Sequence, residues 1–430
     1  MGMLGTDMSA AYCEPDIALA ASLLAQLEQM SLDPPGITRD AYGSGEERAH
    51  RLIRKTGKEL GLLVNSDAAG NTFVSLPAGA APLPGWIVGS HLDSVPHGGN
   101  FDGAAGVVAG MSAMANLVRN GVAVKRPITC AVFRAEESTW FPASYIGSRA
   151  ALGLLPPEVL NLNRSDTAKP LSRHMEALGL DPQKVMRGEK WLQREAIHAY
   201  LEIHIEQGPV LEEAAVAVGL VTGISGSLRY RDAVCHGRYD HSGAVPRRFR
   251  SDAVLAVAEL ALRLDEFWTD LDKSGANATV TIGQIATDPR HHAFSKVAGE
   301  VRFCLDIRAD RHMLLETIDR RLRELIDEIG RSRRVTFDLG ARSGTRPAPM
   351  DGKLLRHLHD LAEREEIATL ALPSGAGHDA AVFANAGIAT GMIFIRSRNG
   401  SHNPQESMAI EDFEQAARLL AALLSEGIED

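Results

Sequence analysis

The chain is poor in cysteine: four residues in 430, Cys13, Cys130, Cys235 and Cys304, with no CxxC pair. That scarcity excludes a disulfide framework and a thiolate metal finger. It fits reduced structural thiols, three of them in apolar, strand-like surroundings. No apolar run approaches the roughly 20 residues that span a bilayer. The N-terminal MGMLGTDMSAAYCEP lacks the basic and long apolar regions of a secretory signal, and its first dozen residues are expected to be disordered. No block of like charge is present, and a net charge of −10 argues against non-specific nucleic-acid binding. The expectation is a soluble cytoplasmic protein with neither nucleic acid nor membrane as partner.

The length of 430 residues exceeds what a single core usually serves, so two domains are expected. Residues 17–30 and 45–60 carry helical spacing, and WIVGS (86–90) reads as a buried strand. The small, apolar run 103–119 suits a helix packed closely on a sheet. ITCAVFRAEE (128–137) and YLEIHIEQG (200–208) are further strands, and the alternation indicates an α/β sheet. After about residue 213 the pattern changes to strand (223–239), helix (251–268), strands (278–286 and 300–309), helix (314–330) and strand (334–341). This makes an α+β unit with an open four-stranded sheet. The α/β character then returns in a helix (353–365), a buried strand (389–396) and a closing helix (413–427). The fold class expected is therefore α/β, a mixed, mainly parallel sheet between helices. Residues 1–213 and 346–430 form one domain, interrupted by an inserted α+β domain at 214–345.

Ligands in such sheets sit beyond the carboxyl ends of strands. GSHLDSVPHGGNFDG (89–103) lies at such an end and is dense in imidazole and carboxylate. His91 and Asp102 are candidate metal ligands on either side of a glycine-rich turn. Asp93 is placed to accept the other ring N–H of His91 and fix its tautomer. The adjacent acids Glu136 and Glu137 can divide their work, one binding metal while the other stays free as a base. His204, among apolar neighbours in EIHIEQG, would be costly without a partner. His402 follows the apolar strand GMIFIR after a short loop. His97 reads as an ordinary loop residue.

The set His91-x-Asp93, Asp102-Gly103, Glu136-Glu137, His204 and His402 resembles the metallopeptidase-like (M20-type) amidohydrolases related to aminoacylase. More narrowly, GSHLDSVPHGGNFDG, EEST-W-FP with GSRAALG, EIHIEQGPVLE, SGAGHDA and GSHNPQE resemble the branch of N-carbamoyl-L-amino acid hydrolase, β-ureidopropionase and allantoate amidohydrolase. The resemblance runs from about residue 17 to the C-terminus. It implies that His91 and His204 bind one divalent ion, that Glu137 and His402 bind a second, and that Asp102 bridges them. It makes Glu136 the general base. The two ions would be Zn, Mn, Co or Ni, which mixed imidazole and carboxylate donors suit. The insertion matches the family's lid and dimerisation domain, implying a homodimer. His241, in HGRYDHSGAVP, matches the oxyanion-stabilising histidine, and Arg308, in LDIRAD, the arginine that clamps a substrate carboxylate. Gln207 and His378 match further substrate contacts.

One segment departs from the family. In DPRHHAFSKVAGE (288–300), His292 stands where a substrate-contacting Asn is usual, and Ser295 and Ala298 replace a later Asn and Pro. Such a change either is neutral or alters the substrate. The reaction implied is hydrolysis of the ureido C–N bond of an N-carbamoyl-L-amino acid, giving amino acid, carbon dioxide and ammonia. Phe141-Pro142 resembles the allantoate enzymes, whereas GSRAALG resembles the carbamoylases. An N-acyl amino acid substrate and a metal-loaded, non-catalytic carboxylate binder are the remaining alternatives. Against the latter, no ligand or base of the set is missing.

Overall fold

The computed structural model describes residues 14–77 and 84–426; Cys13 and the first dozen residues lie outside them. Two units are present: Met1–Thr222 with Met350–Leu372 and His378–Asp430, and Gly223–Pro349 with Pro373–Gly377. The three described cysteines are free thiols. No helix among the described residues is long and apolar enough to cross a membrane.

The first unit is mixed α/β. Its central strands Thr390–Ile395, Ile197–Ile205, Gly85–His91 and Ile128–Phe133 run parallel in that order. Thr72–Leu76 and Leu63–Ser66 continue the sheet antiparallel beyond Ile128–Phe133. From Trp86 to His91 every residue is buried, which is why the run opens on consecutive apolar residues, Trp86, Ile87 and Val88, and does not alternate. In Ile197–Ile205 the two faces separate. Leu201, Ile203 and Ile205 join the main core, whereas Tyr200 faces the other way and stacks on Phe383 at 3.9 Å. Helices Ile17–Ser31, Ala104–Arg119 and Ile410–Glu426 contribute Leu23, Val107, Met111 and Leu420 to that core.

Helix Ala104–Arg119 packs closely because it is built of small residues. A Cβ at Gly106 would stand 2.0 Å from the Ile203 carbonyl oxygen, and one at Gly110 3.0 Å from Cys130 Sγ. This closeness seats the helix N-terminus, and Asp102 before it, beside the strand that bears His204.

The second unit holds an antiparallel sheet in the order Ala278–Thr281, Glu300–Ala309, Gly226–His236, Thr336–Asp338. Two short strands, Ile285–Thr287 and Arg342–Thr345, pair onto Glu300–Ala309 and Gly226–His236. They enlarge the expected four-stranded sheet to six strands. Helices Ala253–Lys273 and His312–Arg333 close its core over Leu228, Phe303 and Ile307.

The strand expected to run from 128 to 137 stops at Phe133. Ala135 adopts φ +50°, and its N–H donates to Glu46 Oε1 at 2.9 Å. With its N–H groups taken by side chains, this stretch has none left for a neighbouring strand. The strand Val218–Ile224 and the helices Ile146–Ala151 and Asp379–Asn385 are additions to the elements read from sequence.

Gly106→Ala should therefore destabilise the first unit by about 1–3 kcal/mol through overpacking. Gly352→Ala, which meets only Arg356 at 3.5 Å, should stay within about 0.5 kcal/mol of wild type. Denaturant unfolding of both variants checks the contrast.

Candidate metal centre

Parallel strands end on one edge, and this edge gathers the polar residues. Val88 lies opposite Leu201 in the register, so three residues on His91 and His204 reach the same level. Their rings stack with centroids 5.8 Å apart. His91 Nδ1 lies 3.1 Å from the Asp93 carbonyl oxygen, and His204 Nδ1 lies 2.9 Å from that of Ile205. Each carbonyl accepts the Nδ1–H, so both rings present an Nε2 lone pair.

Those lone pairs meet one oxygen of Asp102. Oδ1 is 3.4 Å from His91 Nε2 and 3.2 Å from His204 Nε2. Oδ2 faces a different pair: His402 Nε2 stands 3.5 Å away and itself lies 2.9 Å from Glu137 Oε1. Two triads of donors thus share one carboxylate, each with its atoms within 4.8 Å of one another. Donors about 2.1 Å from a tetrahedral ion stand about 3.4 Å apart, so the spacing and the imidazole–carboxylate chemistry fit a divalent ion in each triad. Asp102 can face both ways because Gly103 follows it at φ +66°, where a Cβ would come within 2.6 Å of the His91 ring.

Glu136 lies outside both triads, its Oε2 3.9 Å from His91 Nε2. Burial pushes its carboxyl well above the usual range, with Glu137 adding to the effect and His91 opposing it. Asp102 behaves oppositely: burial would raise it, but the charge of His204 and the hydrogen bonds of His204, His402 and His91 hold it well below the usual range. Its hydrogen bonds with Asp102 and Glu137 push His402 up to about 10.

Asp93 does more than its position in the sequence suggested. Its Oδ1 is 3.4 Å from His91 Nδ1, farther than its own carbonyl. Its carboxylate instead accepts the N–H groups of Glu136 at 3.0 Å and Glu137 at 3.1 Å. One side chain therefore sets both glutamates on their loop.

Gln207, at φ +64°, donates from Nε2 to Asp102 Oδ2 at 2.7 Å. Its Oε1 is buried and finds no donor among the described residues. His378 precedes the helix Asp379–Asn385 and packs edge-on against His204 at 4.5 Å. Burial and the neighbouring His204 drive its pKa well below the ordinary value. The other three candidates lie in the second unit. His241 Nδ1 accepts the N–H groups of Gly243 and Ala244 at 3.1 Å each, so the neutral ring carries its proton on Nε2 and can donate from there. Arg308 donates from Nη2 to Asp306 at 3.0 Å and from Nη1 to the Gly375 carbonyl at 2.8 Å. His292 Nδ1 meets Thr287 Oγ1 at 2.7 Å. His97 sits half-exposed against the Asp33 carbonyl, away from both triads.

Sequence reading missed the carboxylates that hold the loops. Glu46 takes the N–H of Ala135 and the guanidinium of the buried Arg134. Glu406 and Ser401 lie beside Asp102. The one signal for the latter two was their place in GSHNPQE, the stretch around His402.

A family model described as peptidase family M20/M25/M40 matches residues 87–426. The N-carbamoyl-L-amino acid amidohydrolase of Geobacillus stearothermophilus is 32% identical over 400 residues, covering 92% of this chain and 95% of that protein. The allantoate amidohydrolase of Escherichia coli is 30% identical over 407 residues, covering 93% and 95%. A solved hydantoinase/carbamoylase family amidase from Burkholderia ambifaria superimposes with a TM-score of 0.83 at 28% identity, covering 98% of this chain and 99% of that one.

The division of Asp102 between two triads predicts that Asp102→Ala holds at most one ion tightly per chain. Elemental analysis of purified protein after metal reconstitution measures this, and wild-type metal content in the variant refutes the shared role.

Proposed function

The chain belongs to the M20/M25/M40 peptidase family and is a hydrolase of carbon–nitrogen bonds other than peptide bonds, and from that premise we propose that it hydrolyses an N-carbamoyl-L-amino acid. The observation that carries the reading is Asp102, its two oxygens facing separate donor pairs, with Glu136 beside them and outside both. His91, Asp102, Glu137, His204 and His402 would hold divalent ions there, which would supply Lewis acidity toward the ureido carbonyl and the attacking water. Glu136 takes the proton of that water and returns it to the leaving nitrogen. Cleavage of the C–N bond releases the amino acid, and the carbamate decays to carbon dioxide and ammonia.

Gln207 supports a ureido substrate in particular. Its Oε1, buried without a donor, suits the N–H groups that a terminal carbamoyl carries and an acyl group lacks. His241, donating from Nε2, is assigned to the developing oxyanion, and Arg308 to the substrate carboxylate. His292 and His378 are assigned to substrate contacts. Five ligands, His91, Asp102, Glu137, His204 and His402, are assigned to two ions. A cytoplasmic homodimer belongs to the same proposal.

Allantoate is the competing substrate, suggested by Phe141-Pro142. Phe141, however, is fully buried and packs edge-on against Tyr42 with centroids 6.3 Å apart. A side chain so enclosed serves packing, and the carbamoylase-like GSRAALG is buried in the same way at Gly147, Ser148, Ala150 and Ala151, so turnover on the two substrates decides between them.

Ammonia release by metal-reconstituted protein, measured in parallel on N-carbamoyl-L-amino acids, allantoate and N-acyl amino acids, tests the substrate class. Turnover is expected to be fastest on a carbamoyl amino acid; hydrolysis confined to N-acyl compounds refutes the ureido reading. Glu136→Gln should keep its metal while kcat falls by about 10²–10⁴. Near-wild-type kcat in that variant removes Glu136 as the base.

A further inference from the structure

A carboxylate shared by two ions has to be held in one orientation, and Asp102 itself stands on a loop. That loop, from Leu92 to Asp102, contains no helix, only turns and one isolated bridge from Gly98 to Ile37. Something outside it must set its shape.

Two buried charged residues from distant parts of the chain do so. Arg39, 0% exposed, donates from Nε to the Leu92 carbonyl at 2.6 Å and from Nη1 and Nη2 to Asn100 Oδ1 and O at 2.9 and 3.2 Å. Glu406 holds the other end. Its Oε1 accepts the N–H of Phe101 at 2.8 Å and that of Asp102 at 3.2 Å. Its Oε2 lies 2.6 Å from the Ser401 hydroxyl, which is also 2.6 Å from Asp102 Oδ2. The single proton of the Ser401 hydroxyl thus stands between two carboxylate oxygens, so Glu406 reaches Asp102 both through its main-chain N–H and through Ser401 beside its side chain. Gly99 makes room for Glu406, since a Cβ there would come 2.3 Å from the Glu406 side chain.

Glu406 belongs to the same turn as His402, with its own N–H donating to the Asn403 carbonyl at 3.3 Å. Ser401 is the neighbour of His402 in sequence. The group that grips Asp102 is therefore part of the segment that carries a donor of the second triad.

We infer that Glu406, acting through Ser401 and the N–H groups of residues 101 and 102, is a positioning residue that orients Asp102 and ties it to the His402 loop. The inference rests on the reading of Asp102 as the shared ligand. Glutamate is the fitting residue: one oxygen accepts two parallel N–H groups while the other reaches the serine hydroxyl. Glutamine preserves this pattern, because its Oε1 still accepts both N–H groups and its Nε2–H donates to Ser401 Oγ. The serine proton then goes to Asp102. Alanine leaves two buried N–H groups unpaired.

The test is a titration of metal-free protein with Co²⁺, followed by visible absorption, beside thermal unfolding of the metal-free forms. Glu406→Ala should weaken the more loosely held ion by about 10–100-fold and alter the absorption band. Glu406→Gln should restore affinity to within a few-fold of wild type. Ser401→Ala, which removes the hydroxyl between the two carboxylates, should fall between the two and carries the test should the alanine variant at 406 not fold. Wild-type cobalt affinity in Glu406→Ala or Ser401→Ala, or a glutamine variant no better than alanine, overturns the inference. Because no substrate is involved, the outcome is independent of the proposed reaction. If Asp102→Ala loses an ion while Glu406→Ala does not, only the positioning role fails; if Asp102→Ala keeps both, the shared-ligand reading fails first.

Discussion

Buried carboxylates repel one another, and the centre at the strand edge packs Asp93, Asp102, Glu136, Glu137 and Glu406 together, each less than a tenth exposed. The way this charge is neutralised shapes everything around it. Asp93 accepts the N–H groups of Glu136 and Glu137, Glu406 those of Phe101 and Asp102, and Glu46 those of Tyr42 and Ala135. Asp93, Glu406 and Glu46 are satisfied by backbone N–H groups, whereas Asp102 and Glu137 meet side chains. For the first three, satisfying the charge and fixing the loop are a single act.

This arrangement separates the two glutamates that a shared backbone would otherwise leave alike. Asp93 takes their two N–H groups with its two oxygens, so the side chains project differently. Glu137 joins His402, while Glu136 stays beside His91 outside both donor triads. The imidazoles are prepared in the same manner: backbone carbonyls take the Nδ1 protons of His91 and His204, leaving Nε2 for the centre. For these two rings the orienting partner is the main chain. Within the second unit one histidine is treated in reverse. Backbone N–H groups occupy Nδ1 of His241 and leave Nε2 as the donor.

Close packing beneath the centre matters as much as the polar network. Gly103 and Gly106 bring helix Ala104–Arg119 against His91 and Ile203, at distances where a Cβ could not stand. The apolar body of the sheet and helices thereby places the polar edge, and the two cannot be varied separately.

Much of this was legible in the sequence. Buried parallel strands are continuous apolar runs, so WIVGS, ITCAVF and GMIFIR announced themselves, and polar residues at their ends marked His91, Glu136, Glu137 and His402. Repeating patterns of burial leave a period that a single sequence displays. What tertiary structure alone decided is which side chains hold the loops of the centre in place. Asp93 meets the N–H groups of residues 43 and 44 positions away, Glu406 meets residues about 305 positions away, and Arg39 a carbonyl 53 positions away. A side chain that bonds to backbone imposes no residue type on its partner and leaves no periodicity. Its role exists only once the chain has folded and brought that backbone within reach.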